Sequence, residues 1–308
     1  MMTTTSVTTR PRKTRRPGSR LKLRNTLTGW SFILPNFIGF ALLTLVPVVI
    51  LFYLGFTSWN AFGKAEWVGL ENYADLLRDK TFHKVLWNTI YYAIFHIPLT
   101  LAASLGLALL LNRKMRGVQF FRTVAFFPYI TSIVAIAAVW NMLFSAKSGP
   151  INQFLMWLGM TDPPGWTSST TWAMPAIIIV GTWRYMGYYM LLFLAGLQAI
   201  PEEIYEAARV DGANAIHRFW NVTLPGLRPT TFFVTVMLTI ESFKILDLIL
   251  VMTDGGPGTS TMVLAQYIYR KGFEENNFGY ASAVSIVLFL ICILFTIFQF
   301  LVNKRREN

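Results

Sequence analysis

Apolar residues along this chain gather into six runs, separated by stretches where Gly, Pro, Asn and charged residues return. The runs cover about residues 30–57, 86–111, 120–144, 172–197, 229–252 and 280–302. Each meets the ~20 residues that a helix needs to cross a hydrocarbon core. A bilayer interior offers no water to backbone N–H and C=O groups, so these runs predict helices. The expected fold class is an all-α membrane protein with six transmembrane helices. A basic region precedes the first run, as in a secretory signal. That run is too long for a signal, contains Pro35 and Pro47, and has no small-residue cleavage site after it. It is expected to stay in the protein as a span.

Between the runs the pattern predicts smaller elements. Ile151, Phe154, Leu155 and Leu158 recur at helical spacing in 150–159, which predicts an interfacial helix. TDGGPGTST (253–261) is turn-forming, and YIYRKGF (267–273) reads as a short amphipathic element. Prolines 35, 47, 98, 128 and 175 are expected to mark kinks that neighbouring helices tolerate. No internal repeat is visible, which weighs against a secondary transporter built from duplicated halves.

Composition sharpens this picture. Of 308 residues, 54% are hydrophobic and 14% charged, against roughly 25% charged in soluble domains, so a water-facing surface is largely missing. The formal charge of +12 is distributed as membrane flanks rather than as a nucleic-acid face, with anionic lipid as the nearest partner. Eight basic residues, from Arg10 to Arg24, lie in the first 24 positions. With the N-terminus inside, the inner segments 1–29, 112–119, 198–228 and 303–308, with Arg122, hold 18 Lys/Arg, and the outer segments hold seven. The positive-inside rule therefore places both termini in the cytoplasm. Residues 1–29 form a basic cytoplasmic tail, with 1–25 expected to be disordered, and 30–302 form the membrane domain. Cys292 has no partner and no metal-ligand spacing. His83, His96 and His217 are isolated and read as packing or hydrogen-bonding residues.

The inner segment 198–228 carries the most information. Pro201 suits the first position of a helix, and Glu202 and Glu203 suit the positive end of its dipole. The helix is expected to run to Asp211, with Gly212 free to take positive φ at the cap. At this length it is marginal alone in water and needs a partner surface or the rest of the membrane domain to hold it. Ile204, Ala207 and Ala208 share one side, where the alanines admit another backbone. Glu206 is placed to pair with Arg209, and Tyr205 to lie over Arg209. A second helical stretch is expected at 213–221, before Leu224-Pro225 restarts the chain. On these grounds alone the segment reads equally as a plain connector.

The spacing Glu206-Ala207-Ala208, three residues, Gly212, nine residues, Val222, one residue, Leu224-Pro225 resembles the signature loop of permease subunits in binding-protein-dependent ABC importers. Val222 stands where the family has Ile and keeps the β-branched shape. Segments 122–144, 193–213 and 243–261 are similar to carbohydrate-uptake permeases, and LPNFIGF (34–40) resembles the first permease of maltose, glycerol-3-phosphate or lactose-type pairs. The resemblance implies a type I importer permease fold in a bacterial or archaeal cell membrane. It implies a second permease, two ATPase subunits, an extracytoplasmic solute-binding protein and a carbohydrate substrate. It further implies that Glu203, Glu206, Ala207, Ala208, Asp211, Gly212, Leu224 and Pro225 dock on an ATPase. The chain has no GxxxxGK[ST] phosphate cradle. ATP and magnesium are accordingly expected on the ATPase partners, with no cofactor and no enzymatic activity in this chain.

Polar groups inside the runs are the candidates for a solute path. Glu241, Lys244 and Asp247 recur at i, i+3, i+6, a ladder expected on one helical face. An ionised group at mid-membrane costs at least ~2.5 kcal/mol, so the ladder is expected to face protein or water. It reads as mutual neutralisation, with Lys244 between two carboxylates, as part of a polar path, or as an electrostatic gate that reports the open or closed state. Arg184 sits amid Trp183, Tyr185, Tyr188 and Tyr189, and Trp140 and Asn141 lie in the third run. Aromatic platforms beside polar groups suit sugars, though Trp and Tyr also serve as interface anchors. The competing function is a stand-alone channel or secondary transporter that uses Glu241, Lys244 and Asp247. An intramembrane enzyme lacks a nucleophile–base pair or metal motif.

Overall fold

A computed structural model describes residues 19–113 and 115–307. The disorder expected of residues 1–18 lies outside the described residues. The chain divides into two units, 1–51 and 52–308. At its N-terminal side, α1 (Ser19–Phe40) passes into a π-helical turn at Ala41–Leu45 and then into α2 (Val46–Leu54), whose residues 52–54 belong to the second unit. Residues 19–25, expected to be disordered, are helical. Leu, Lys and Arg are good helix formers, and a span beyond them supplies the nucleus. Pro47 lacks an N–H and its ring clashes with the carbonyl of residue 43, which accounts for the widened turn before it.

In the second unit a two-residue hairpin pairs Thr57–Ser58 antiparallel with Glu66–Trp67. Then come α3 (Glu71–Arg78), α4 (Lys80–Leu111), α5 (Val118–Ile130), α6 (Ile133–Leu143) and α7 (Pro150–Trp157). After α8 (Ala173–Gln198) come α9 (Glu202–Val210), α10 (Ala215–Arg218), a π turn at Phe219–Thr223 and α11 (Leu224–Gly226). The chain ends with α12 (Arg228–Phe243), α13 (Asp247–Met252), α14 (Leu264–Tyr269), a π turn at Arg270–Glu274 and α15 (Phe278–Glu307).

Among the described residues, Thr28–Leu54, Lys80–Leu111, Ala173–Gln198 and Phe278–Lys304 are long and apolar enough to cross a membrane as single helices. Two of the expected spans are broken. The third bends by 98° between α5 and α6, where Thr131 takes an extended conformation three residues after Pro128. The fifth stops at Phe243 and restarts at Asp247, because Leu246 leaves the helical region at φ −139°. Hydropathy registers the apolar content of both runs and is blind to these backbone breaks.

Helix α8 is the hub. Its C-terminal half packs Tyr189, Phe193 and Leu197 with Ala108 and Leu111 of α4 and Val234 and Leu238 of α12. Its N-terminal half packs Ile177 and Val180 with Ile136, Leu248 and Ile249. Gly187 is what lets α5 approach: a Cβ there would overlap the Ala125 carbonyl.

A polar knot closes the far end of the bundle. Asp79 caps α4 by accepting from the Thr81 N–H at 2.8 Å. It also accepts from the Tyr267 hydroxyl and, at 2.9 Å, from the Tyr280 hydroxyl. Burial pushes the Asp79 carboxyl up, but these bonds, with the Phe82 backbone, outweigh it and hold the pKa below the usual value. A depressed pKa stabilises the fold above the unfolded value of about 3.9, and that gain is lost as pH falls through the folded value. Asp79→Ala should cost about 2 kcal/mol near neutral pH and far less at the acidic limit. Thermal unfolding of the detergent-solubilised protein against pH checks this; an equal cost at both extremes would contradict it.

Candidate functional site

Arg184 is the twelfth residue of α8 and opens onto a chamber of about 300 Å³. Tyr129 of α5, Tyr185, Tyr188 and Tyr189 of α8, Met237 and Glu241 of α12, and Asp247 of α13 complete its wall. The Tyr129 and Tyr188 rings stack at 4.5 Å, and Tyr185 meets Tyr129 edge-on at 5.9 Å. Arg184 Cζ lies 5.3 Å from the Tyr185 ring centre, and its Nε is buried with no protein partner. A smaller void of about 70 Å³ adjoins, shared by Tyr92, His96, Arg184, Glu241, Lys244 and Asp247. There His96, stacked on Tyr92 at 4.7 Å, places Nδ1 3.0 Å from Ser242 Oγ, in the last turn before the break. The chamber thus offers flat aromatic faces beside two carboxylates and a guanidinium, a set able to hold a polyhydroxylated solute.

Two expectations are corrected here. The ladder Glu241, Lys244 and Asp247 does not share one helical face, since the helix ends between its members. Nor is Lys244 clamped by the two carboxylates: among the described residues, the ion pairs within 4.0 Å are Arg270 with Asp254 and Glu274, and Lys271 with Glu275. The break frees Lys244 and Asp247, both exposed, while Glu241 is half-buried. The chamber brings together Arg184, Tyr188, Glu241 and Asp247, with Lys244 next door. Trp183 packs instead against Trp140 at 5.5 Å. Asn141 lies at a separate open recess, where Nδ2 donates to the Met252 carbonyl at 3.3 Å. Tyr92, His96 and Tyr129 had no place among the path candidates, because spans two and three bring them in from more than fifty residues away in sequence.

The loop after α8 is built as a projecting element. Pro201 is the residue before α9, with ψ 134°, rather than its first helical residue. The helix closes at Val210, Asp211 caps it, and Gly212 takes φ +77° with open space where a Cβ would go. The N–H of Ala213 returns to the Ala208 carbonyl at 2.9 Å. Nothing in α9 is fully buried; Glu203, Glu206, Ala207 and Asp211 are exposed and Ala208 is half-buried. The expected Glu206–Arg209 pair is not formed. Tyr205 does not lie over Arg209: its hydroxyl is 3.1 Å from Thr223 Oγ1, which ties α9 to the π turn. That turn also replaces the second half of the helix expected at 213–221. Ala208, Asp211, Gly212, His217, Arg218 and Val222 wall a recess of about 320 Å³. Leu224 and Pro225, both half-buried, begin α11, and Leu227 behind them is fully buried.

Residues 81–308 match the family described as the binding-protein-dependent transport system inner membrane component. The chain belongs to this family and is a multi-pass membrane permease component of an ABC transport system. A probable ABC transporter permease of Bacillus subtilis, YesP, is 35% identical, with 92% of each chain covered. The lactose transport system permease LacF of Rhizobium radiobacter and the trehalose/maltose permease MalF of Thermococcus litoralis are each 33% identical, over 94% of this chain and 98% of theirs. Among solved structures, a chain of a bacterial ABC transporter involved in importing the acidic polysaccharide alginate superposes with TM-score 0.80 at 23% identity. The match covers 93% of this chain and 99% of that one. It carries the type I importer permease fold.

Proposed function

We propose that the chain is one of two permease subunits that carry a sugar or oligosaccharide across the cell membrane, driven by two partner ATPases. The family match together with an exposed, Gly-capped α9 carries this reading. Six crossings, with both termini cytoplasmic, follow from the charge asymmetry if the broken α5–α6 and α12–α13 pairs each count as one span. The chain's relatives include permeases named for lactose and for trehalose/maltose, which favours a carbohydrate. ATP and magnesium belong on the partners.

In this reading α9 seats in a groove of an ATPase. Glu203, Glu206 and Asp211 supply exposed acidic contacts, while Ala207 and Ala208 allow close approach. Gly212, Leu224 and Pro225 join the helix firmly to α12, so closure of the ATPases moves α8 and α12 together. Those two helices carry Arg184, Tyr188 and Glu241, so the lever acts on the chamber walls. An extracytoplasmic binding protein delivers solute near Gly255–Thr261. Adding solute-loaded binding protein to the assembled complex should raise ATP hydrolysis severalfold. Equal hydrolysis with and without it would count against the assignment.

A further inference from the structure

Helix α7 is apolar on two faces. Ile151 and Leu155, one turn apart, pack into the core that holds Phe144 and Trp166. Pointing away from that core are Phe154, Trp157 and Leu158, exposed to 57%, 77% and 61%, and the Phe154 and Trp157 rings stack at 5.8 Å. Pro150–Trp157 contains no charged residue. A helix lying between a core and water would present polar residues on that second face.

The helix is held firmly in place. A Cβ at Gly149 would collide with the Leu143 and Ser145 carbonyls, so α7 starts folded against the last turn of α6. The fully buried Asn152 donates to the Ala146 and Pro164 carbonyls at 3.0 Å and accepts from Trp166 Nε1 at 2.6 Å. Trp166 stacks on Phe144 at 4.7 Å. Helix α7 is thereby fixed between the end of α6 and the segment leading into α8, itself long and apolar enough to cross a membrane. An uncharged aromatic face held where spans leave the bilayer is suited to the boundary between headgroups and acyl chains. Exposed Lys147 and Asp162 flank it on either side, where headgroups would meet them.

We propose that Phe154, Trp157 and Leu158 form a lipid anchor in the outer leaflet, fixing the outer ends of α6 and α8 relative to the membrane plane. The proposal rests on the topology given above. It is tested on the complete transporter in phosphatidylcholine nanodiscs, carrying an environment-sensitive fluorophore at W157C in a C292S background. The expected emission is blue-shifted, largely lost when the lipid chains are brominated near the headgroup, and insensitive to iodide. A label at K64C, on the exposed hairpin loop, reports that iodide reaches the protein. Quenching of the W157C label by iodide and not by brominated lipid would overturn the anchor, as would protection from both, which would mean that a protein surface covers the face. ATP-dependent uptake by the unlabelled complex is read separately: its absence alongside lipid quenching would contradict the importer assignment and leave the anchor standing.

Discussion

Glu206→Lys and Gly212→Pro should each abolish ATP-driven uptake and loosen ATPase association while the chain still inserts into the membrane. Glu206 is exposed and makes no ion pair among the described residues, and exposed substitutions of this kind usually move stability by no more than about 0.5 kcal/mol. A total loss of uptake must then come from a contact outside this chain. Gly212 differs in kind. Its φ of +77° is closed to proline, which locks φ near −65°. Proline would also remove the N–H that donates to the Arg209 carbonyl at 3.0 Å. Gly212→Ala separates strain from contact: nothing lies within 4 Å of the added carbon, leaving only about 1 kcal/mol of left-handed strain. It should retain most uptake. Normal ATPase co-purification and uptake in both of the first variants would remove the lever from the account.

Gly187→Ala should destabilise the fold strongly, since among the described glycines its added carbon makes the shortest contact, and with backbone. The added carbon would overlap the Ala125 carbonyl oxygen and crowd the Phe126 backbone, so α5 must move off α8. Overpacking of a close contact costs about 1–3 kcal/mol and occasionally more. Here the obstacle is backbone, which cannot rotate away as a side chain can. The shift would also pull Tyr129 off Tyr188 and open the chamber. Gly106→Ala in α4 is the control: it meets nothing within 4 Å and should be neutral or gain up to about 1 kcal/mol from helix propensity. Monodispersity after heating in detergent reads both. An unaltered Gly187→Ala protein would mean that the α5–α8 crossing is looser than described.

The contrast between these sites marks what could be read from residues alone. Gly212 was legible because its role is local: a helix pattern ends, and the next residue must turn left. Gly187 was not, since what crowds it comes from a helix sixty residues earlier. The same division separates Arg184 from Tyr129 and His96: a charged residue in an apolar run announces itself, while its cavity partners depend on which helices meet. The breaks at Thr131–Ser132 and Lys244–Leu246 were invisible to hydropathy, which counts side chains and ignores φ and ψ. The expected Lys244 clamp failed for that reason, because i, i+3, i+6 spacing implies a shared face only along an unbroken helix.

The most direct test of the central claim is solute uptake into proteoliposomes holding this chain with its second permease, with and without the ATPase subunits. With ATPases, internal ATP and loaded binding protein, solute should accumulate; without the ATPases, no imposed proton or sodium gradient should move it. Gradient-driven uptake by the chain alone would contradict the account and return Glu241, Lys244 and Asp247 to the role of an ion-coupled path.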